Sequence, residues 1–480
     1  MIKRLTLALA CAAALALPAQ TTGGIDAGML ARLRAAQPRS AADSALANAA
    51  AGASLNALAA NRLRPAGDAY FSDRVNSRGI TDQQSSGRCW LFTGLNVLRA
   101  KAQAEHGLGE FTFSQNYLFF YDQLEKSNLF LQAIIDNAAK PMDDQLVTWL
   151  FKHPLSDGGQ FTGVSDLVMK YGLVPSSVMP ETYSANHTAT MSELIALKLR
   201  EQALELRRMA ADGKPKADLE ARKEKMLATV YHMLAVCLGE PPTKFTWTQT
   251  TASGVPGQTA EYTPLSFYEK FVGTDLKKNY VMLMNDPSRP YHKTYTIDMD
   301  RHVYDGENWT YVNLPMDELK AIAIASIKDS TMLYYSCDVG KFLDSKAGRL
   351  DVDNYNYGAL LGTDFGMDKA DRIRTFASLS SHAMTLMAVD LDAEGRPRQW
   401  MVENSWGADA GYKGHLIMTD RWFDEYTFRL VAERKYVPKE TLHLLEQEPE
   451  RLPAWDPMFA PEPLRHEGWP AARPKRPAVM

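Results

Sequence analysis

Hydrophobic residues recur at helical spacing in three parts of the chain. The first part is residues 90–99, directly after Cys89, and the second runs from 113 to 136, where Ser114 is a suitable N-cap. The third, residues 191–238, alternates apolar and charged positions and is interrupted near Gly213. These patterns predict a helix opening at Cys89, a core helix, and two long helices with solvated charged faces.

Later segments change to alternation with a period of two. From Tyr280 to about Ser336 the chain is rich in Tyr, Val and Thr, with turn signals at Asp286 and Asp305. Residues 381–390 and 400–404 are further apolar runs of strand length. We expect all of these segments to form strands, and the last two to be adjacent and antiparallel.

Both ends of the chain differ from its middle. Residues 1–19 have a basic start, an apolar run shorter than the roughly 20 residues of a membrane span, and a small-residue exit. This layout predicts a signal peptide and a secreted or periplasmic protein with no membrane anchor, and a lipoprotein site at Cys11 is the weaker alternative. Residues 20–64 are Ala-rich and are expected to form a helical or partly disordered leader, which could be an extension, a spacer or a short pro-segment.

Composition indicates a globular protein and argues against nucleic-acid binding. The chain has 480 residues, 45% of them hydrophobic and 23% charged, which is typical of a globular protein with two or three domains' worth of core. The net charge of -4 and the lack of a basic, aromatic-rich block give no reason to expect nucleic acid as a partner. Of the four cysteines, Cys89, Cys237 and Cys337 lie beyond the predicted signal peptide. We expect Cys237 and Cys337 to be separate buried thiols.

Cys89 is the residue with the clearest chemistry. It follows a Ser-Ser-Gly turn and opens a predicted helix, whose N-terminal dipole favours a thiolate, the nucleophilic form of cysteine. Gln83 could hold its amide beside the sulfur, where the oxyanion of an acyl-transfer intermediate forms. A single cysteine before a tryptophan is more often a buried structural residue, so the prediction depends on partners elsewhere in the chain.

His382 and Asn404 are the candidate partners. Among the ten histidines, His382 heads an apolar strand, and Asn404 ends the next one. An asparagine carbonyl that accepts the imidazole N–H would fix the ring without adding a charge. Trp406 could then shield this hydrogen bond from water.

The same segments resemble a known family. The octapeptide Gln-Gln-Ser-Ser-Gly-Arg-Cys-Trp at residues 83–90 resembles the active-site segment of papain-like cysteine peptidases, and its last four residues are similar to the bleomycin hydrolase and aminopeptidase C branch. Asp-Gly-Gly-Gln at 157–160 and Asn-Ser-Trp-Gly at 404–407 are also similar. The resemblance implies that Gly158, Gly159 and Trp406 belong to the substrate-binding site.

The resemblance also implies a fold. It is an α+β, papain-like fold with a helical lobe and an antiparallel β-barrel-like lobe, in a peptidase domain at residues 65–460. His382 follows Cys89 at much more than the about 130 to 150 residues usual in papain-like enzymes. A helical insertion at 191–238 and the strand-rich block account for the extra length. A Pro-rich tail, 461–480, follows the domain.

The function implied is peptide-bond hydrolysis by a Cys-His-Asn mechanism with an acyl-enzyme intermediate. The branch implies an aminopeptidase, a homohexamer, peptide substrates, and no metal or cofactor. In that branch the chain ends soon after a segment like residues 455–458, and the terminal carboxylate restricts the enzyme to substrates with free N-termini. This chain continues past that point, so endopeptidase activity is an alternative. Trimming of the tail near Met458 would restore the aminopeptidase.

Two competing hypotheses assign the chain to a different class of function. An inactive papain-like binding protein would be expected to lack at least one of the four residues Gln83, Cys89, His382 and Asn404, and all four are present. A transglutaminase-like enzyme also uses Cys and His but normally has Asp as its third residue, where this chain has Asn404. The sequence therefore favours the peptidase.

Overall fold

The structure, a computed structural model, describes residues 23–37, 40–64 and 67–459. The predicted signal peptide and the Pro-rich tail lie outside the described residues. The α-helices in the described ranges are α1 (Ala27–Ala36), α2 (Ala41–Gly52), α3 (Leu55–Ala59), α4 (Cys89–His106), α5 (Gln115–Asp136), α6 (Gln145–Lys152), α7 (Phe161–Tyr171), α8 (Tyr183–Asn186), α9 (Thr188–Ala211), α10 (Lys216–Leu238), α11 (Pro264–Phe271), α12 (Leu276–Asn279), α13 (Met316–Lys328), α14 (Tyr357–Leu361), α15 (Lys369–Arg374), α16 (Asp420–Tyr426) and α17 (Lys439–Leu444).

The strands of the same ranges form a large mixed sheet and a separate hairpin. They are β1 (Asp73–Arg74), β2 (Phe245–Thr250), β3 (Pro256–Tyr262), β4 (Tyr280–Met284), β5 (Lys293–Ile297), β6 (Thr310–Asn313), β7 (Leu333–Cys337), β8 (Leu343–Asp344), β9 (Arg349–Leu350), β10 (His382–Leu391), β11 (Pro397–Glu403), β12 (His415–Thr419), β13 (Thr427–Glu433) and β14 (Glu450–Leu452). In the large sheet their order is β14, β5, β6, β4, β13, β7, β10, β11, β12, β9 and β8, with β1 also paired to β10.

The protein is therefore of a mixed α/β class. The central strands β13, β7, β10 and β11 are antiparallel, and the predicted antiparallel pairing of the strands at 381–390 and 400–404, now β10 and β11, is confirmed. Toward both edges the sheet contains parallel pairs, β4 with β6, β14 with β5, and β12 with β9. For example, β5 lies between β4 and β6 in the sequence and runs antiparallel to β6, so β4 and β6 point the same way and pair as parallel strands.

Two compact units make up the chain. One contains the described residues of 23–60 together with Asn356–Gly362. Within it, the Asn356 N–H donates to the Ala59 carbonyl oxygen at 2.8 Å, and the Tyr357 hydroxyl donates to Asn56 Oδ1 at 2.9 Å. The other unit contains the described residues of 61–355 and 363–459, and it holds both sheets and all predicted site residues. The role of the Ala-rich segment stays a prediction.

The predicted helices of the larger unit are confirmed. Helix α4 begins at Cys89, and α5 begins directly after Ser114, whose hydroxyl accepts from the Tyr117 N–H at 3.1 Å. Residues 191–238 lie in α9 and α10, which pack on α5 and are separated by a turn with Gly213 in the left-handed region (φ 75). Glycine adopts that conformation without steric cost.

The strand-rich block is only partly as predicted. Strands β4, β5, β6 and β7 form where alternation indicated them, but helix α13 lies between β6 and β7. Its buried residues Leu319, Ile322, Ala323 and Ile327 recur at helical spacing. That short signal was masked by the apolar, β-branched residues on either side.

Two further observations concern membrane-spanning helices and the cysteine thiols. In the described ranges, none of the helices combines the length and apolar character needed to cross a bilayer. Cys89, Cys237 and Cys337 are unbridged, as predicted. Cys337 is buried, and burial raises the pKa of its thiol well above the ordinary value, whereas Cys237 is only half-buried.

Candidate active site

The loop before α4 fixes where Cys89 enters the helix. The Gly87 N–H donates to Asp157 Oδ2 at 2.7 Å, and any side chain at Gly87 would overlap that carboxylate. The buried Arg88 forms a two-point ion pair with Glu181, at 3.1 and 2.7 Å. Cys89 therefore lies in the first turn of α4, where the N–H groups lack intrahelical acceptors and the helix dipole stabilises a thiolate.

Gln83 is fully buried beside this loop, and both ends of its amide are engaged. Its Oε1 accepts from the Ser405 hydroxyl at 2.7 Å, and its Nε2 donates to the Ser86 carbonyl oxygen at 2.6 Å. Because an amide nitrogen carries two N–H groups, the bond to Ser86 uses one of them. The Gln83 side chain is thus held in one orientation between the cysteine loop and the segment that follows Asn404.

His382 and Asn404 meet across neighbouring strands. His382 is the first residue of β10, and Asn404 directly follows β11, its antiparallel partner. His382 Nε2 lies 2.9 Å from Asn404 Oδ1. Since a carbonyl oxygen only accepts, this nitrogen carries the proton. The Trp406 ring stacks on the imidazole, with ring centroids 4.9 Å apart. Trp406 was predicted to bind substrate, but it is not among the described residues that line the cavity beside Cys89.

Cys89 reaches the same strand from the other side. The Ala383 N–H donates to Cys89 Sγ at 3.5 Å, and Cys89, His382 and Ala383 line one cavity of about 120 Å³. A sulfur that accepts a backbone N–H is favoured as the thiolate, because the donor stabilises negative charge. The structure therefore brings Cys89, His382 and Asn404 together, although they come from distant parts of the chain.

A buried ion pair joins the helix of Cys89 to the strand before Asn404. Arg99 lies on α4, and its Nη2 is 2.6 Å from Glu403 Oε1, with both side chains 1% exposed. The Ser77 hydroxyl donates to the other Glu403 oxygen at 2.6 Å. This pair restrains the two elements that carry the cysteine and the asparagine.

The predicted substrate-binding glycines line the cavity and are supported from beneath. Lys126 donates to the Gly158 carbonyl oxygen at 2.6 Å and pairs with the buried Asp122 at 2.9 Å. His302 Nδ1 lies 2.6 Å from the same carboxylate, and the His302 ring fills the space that a side chain at Gly159 would need. Burial acts to raise the pKa of Asp122, but Lys126 and His302 outweigh it and hold the pKa below its ordinary value.

Other cavity residues were not singled out from the sequence. Gln160, Asp300 and Arg429 line the wall, and Phe459, at the end of the described chain, lines it as well. Arg429 donates to the Met458 carbonyl oxygen and so holds this last segment in place. No local pattern separates Asp300 from an exposed acidic residue, because only the packing of its loop turns it inward.

Comparisons with known proteins identify the family. The model of the Peptidase C1-like family matches residues 25–459. The chain belongs to this family. It is 41% identical over 401 residues to the bleomycin hydrolase of Homo sapiens, covering 81% of this chain and 88% of that protein. It is 39% identical over 390 residues to aminopeptidase C of Listeria monocytogenes, covering 81% and 87%. The crystal structure of PepW from Lactobacillus rhamnosis superposes with a TM-score of 0.87 at 38% identity, covering 91% of this chain and 99% of that one.

Membership in the Peptidase C1-like family makes the chain a papain-like cysteine peptidase. It also corrects one prediction. The secreted or periplasmic location is wrong, because the bleomycin hydrolases and aminopeptidases C to which the chain is similar are cytosolic enzymes. The pattern at residues 1–19, from which the location was predicted, lies outside the described residues.

Proposed function

We propose that Cys89, His382 and Asn404 are the catalytic residues of a cysteine aminopeptidase. The observation that carries the proposal is the 2.9 Å contact between His382 Nε2 and Asn404 Oδ1, at a cavity that Cys89 also lines. This contact commits Nε2 to Asn404 and leaves Nδ1 to exchange a proton with the thiol. An uncharged orienting group preserves the thiolate–imidazolium pair, since it adds no competing negative charge.

In the proposed mechanism the Cys89 thiolate attacks the peptide carbonyl carbon and forms a tetrahedral oxyanion. The second N–H of Gln83 Nε2 and the backbone N–H of Cys89 donate to that oxyanion. The His382 imidazolium protonates the leaving amine as the C–N bond breaks, which leaves an acyl-enzyme. Water then attacks the thioester carbonyl with His382 as general base, releasing the acid and restoring Cys89.

Two observations favour an aminopeptidase over an endopeptidase. Relatives over most of the chain are named aminopeptidase C and bleomycin hydrolase. Phe459 lines the cavity next to Trp149, at 5.7 Å between ring centroids, so the C-terminal segment fills part of the cleft. A cleft shortened in this way leaves little room for substrate residues before the cleaved bond.

We also infer that the chain has the two-lobed papain-like arrangement, with residues 191–238 as an insertion in it.

The test compares a peptide with a free N-terminus and the same peptide after acetylation. We expect the free peptide to be hydrolysed at least about tenfold faster, a difference of roughly 1.4 kcal/mol in the transition state. We also expect Cys89→Ala to abolish hydrolysis of both while its thermal unfolding stays that of the parent. Full activity in Cys89→Ala would refute the catalytic assignment, and equal rates on the two peptides would leave an endopeptidase.

The C-terminal tail adds a second measurement. Trimming near Met458 stays a prediction, because residues 460–480 lie outside the described residues. It is supported by Arg429, which already donates to the Met458 carbonyl oxygen and would pair with a carboxylate formed there. The intact mass of the active protein should be lower than that of Cys89→Ala, and equal full-length masses would refute trimming.

We further propose a homo-oligomer, a hexamer by resemblance to the branch. Helices α9 and α10 leave Leu194, Leu197 and Val236 exposed at 54%, 63% and 72%. Leu194 and Leu197 are three residues apart and so lie on the same face of α9, where together they offer another subunit an apolar surface. Sedimentation of a monomer at micromolar concentration would contradict this proposal.

A further inference from the structure

The segment that leads into His382 is neither helix nor strand. Residues 375–381 connect α15 to β10, and His382 is the first residue of that strand. The pairing with β7 holds this backbone at Ser381, whose N–H donates to the Cys337 carbonyl oxygen at 3.0 Å. Asn404 fixes one ring nitrogen of His382, but the place of the ring also depends on the backbone from which it projects. The contacts that hold residues 375–381 therefore affect how the imidazole meets the thiol.

The carboxylate of Asp338 binds this segment at two positions. Asp338 directly follows β7, is 8% exposed, and is held by its own N–H, which donates to the Tyr426 carbonyl oxygen at 3.0 Å. The Ser378 hydroxyl donates to Asp338 Oδ2 at 2.8 Å, and the Ser381 hydroxyl donates to Oδ1 at 3.3 Å. One carboxylate thus ties together two serines of the segment, and the second of them directly precedes His382.

The nearest cation to Asp338 is a weak partner. Lys341 Nζ lies 3.9 Å from the Asp338 carboxylate and donates instead to the Ala377 carbonyl oxygen at 2.8 Å. Burial raises the pKa of Asp338, while the Ser378 hydroxyl and the Lys341 ammonium act to lower it. A buried carboxylate is unfavourable unless hydrogen bonds to its oxygens offset the loss of water. The two serine hydroxyls provide such bonds, and both belong to the segment before His382.

The same segment reaches the cavity through Ser380. Ser380 lines the cavity together with Cys89 and His382, and its hydroxyl donates to Ser336 Oγ at 2.9 Å. Strand β7 therefore holds the segment from two of its residues, Ser336 at the cavity and Asp338 just past the end of the strand. Asp338 is not among the described residues that line the cavity, so its carboxylate acts on the segment and not on a bound substrate.

We propose that Asp338 is a positioning residue for His382. Through Ser378 and Ser381 its carboxylate fixes the backbone that enters β10, and so it keeps the imidazole where it can exchange a proton with Cys89. Small displacements matter, because a shift of about 1 Å in a reacting group costs on the order of 100-fold in rate. This inference rests on the proposed catalytic role of His382 and adds the group that sets its position.

The first experiment measures kcat and KM on a fluorogenic leucyl amide. The variants are Asp338→Asn, whose NH2 group cannot accept a hydrogen bond, and the double variant Ser378→Ala with Ser381→Ala. The matched control is Asp390→Asn, because Asp390 is a buried carboxylate on the same strand as His382 and pairs with Arg398 at 2.7 Å. We expect Asp338→Asn and the serine double variant to lower kcat by roughly 10- to 100-fold, with KM within about twofold of the parent. Asp390→Asn should lower the thermal unfolding temperature and keep the parental kcat.

The second experiment needs no substrate. Iodoacetamide reacts with the thiolate form of Cys89, and the modified residue is located by peptide mass. The rate of this reaction across a pH series reports how well the His382 imidazolium stabilises the thiolate. A tenfold weaker pairing moves the midpoint of the profile up by about 1 pH unit, and we expect that shift in Asp338→Asn and in the serine double variant. A loss of stability alone, as in Asp390→Asn, leaves the midpoint unchanged.

Three results would overturn the inference. One is a parental kcat and alkylation midpoint in Asp338→Asn. Another is an impaired Asp338→Asn beside a parental serine double variant, since the carboxylate would then act by its charge and not through the segment. The third is an equal loss of kcat in Asp390→Asn, which would show that any buried carboxylate lost from this sheet has the same effect. If Asp338→Asn does not fold, the serine double variant alone decides.

Failure of the proposed function is distinguishable from failure of this inference. A parent protein that hydrolyses no peptide substrate would refute the function. The alkylation profile would still show whether Asp338 sets the pairing of His382 with Cys89, because it depends only on the resting protein. A parent protein that hydrolyses the leucyl amide, with an alkylation midpoint that no variant moves, would leave the peptidase standing and overturn the role of Asp338.

Discussion

The ion pair between Arg99 and Glu403 allows a quantitative test of how the site is held together. Glu403→Gln removes the charge but retains the size of the side chain, and it leaves Arg99 buried at 1% exposure without a carboxylate. Breaking a buried pair from one side costs about 3 to 5 kcal/mol of unfolding free energy, because the remaining charge is uncompensated. We therefore expect the urea midpoint to fall by that free energy divided by an unchanged m-value.

Two further variants make this prediction refutable. Asp353→Asn removes an exposed pair with Arg421 (2.7 Å, side chains 51% and 72% exposed) and should produce no measurable change. The double variant Arg99→Met with Glu403→Leu removes both charges and should recover most of the lost stability, since apolar replacement of a buried pair is often neutral. If the double variant is as unstable as Glu403→Gln, the loss comes from packing and the electrostatic reasoning is wrong.

Three further predictions follow from the site. Gln83→Ala should lower kcat by roughly 10² to 10³, the effect of one oxyanion donor, measured under substrate saturation. Lys126→Met should raise KM more than it lowers kcat, because Lys126 holds the Gly158 carbonyl and not the reacting atoms; an unchanged KM would contradict that role. The stability of Asp300→Asn relative to the parent should be greater at pH 8 than at pH 4. The raised native pKa of Asp300, about 7, means that parent stability falls by up to about 4 kcal/mol as the pH rises from 4 past 7, and parallel stability curves for the two proteins would refute this.

The proposed catalytic geometry was predictable because it depends on local signals at the ends of regular elements. Cys89 follows a turn and opens a helix, and His382 begins a strand whose partner leads into Asn404. Each of these positions is marked by a change in hydrophobic period. Antiparallel pairing of consecutive strands then brings His382 and Asn404 together without further information.

The predictions failed for one helix, for the parallel edges of the large sheet, and for the location of the protein. Helix α13 was missed because its apolar signal consists of only four buried residues at helical spacing, and the strands on either side have a similar composition. The parallel pairs at the edges of the large sheet depend on which distant strands become neighbours. The location predicted from residues 1–19 rested on one compositional pattern, and the comparison with cytosolic relatives overturned it.

Part of the cavity wall was hidden from sequence reasoning for a different physical reason. Asp298 and Asp300 are separated by a single residue and have the same side chain, yet one forms a partly exposed pair with Arg451 and the other lies inside the cavity. In the loop after β5, the Trp309 N–H donates to the Asp300 carbonyl oxygen at 2.6 Å. Such a long-range contact leaves no periodic signal. The residues proposed for the chemical step are therefore marked in the sequence, whereas the cavity wall is built partly from loops whose orientation only the folded chain determines.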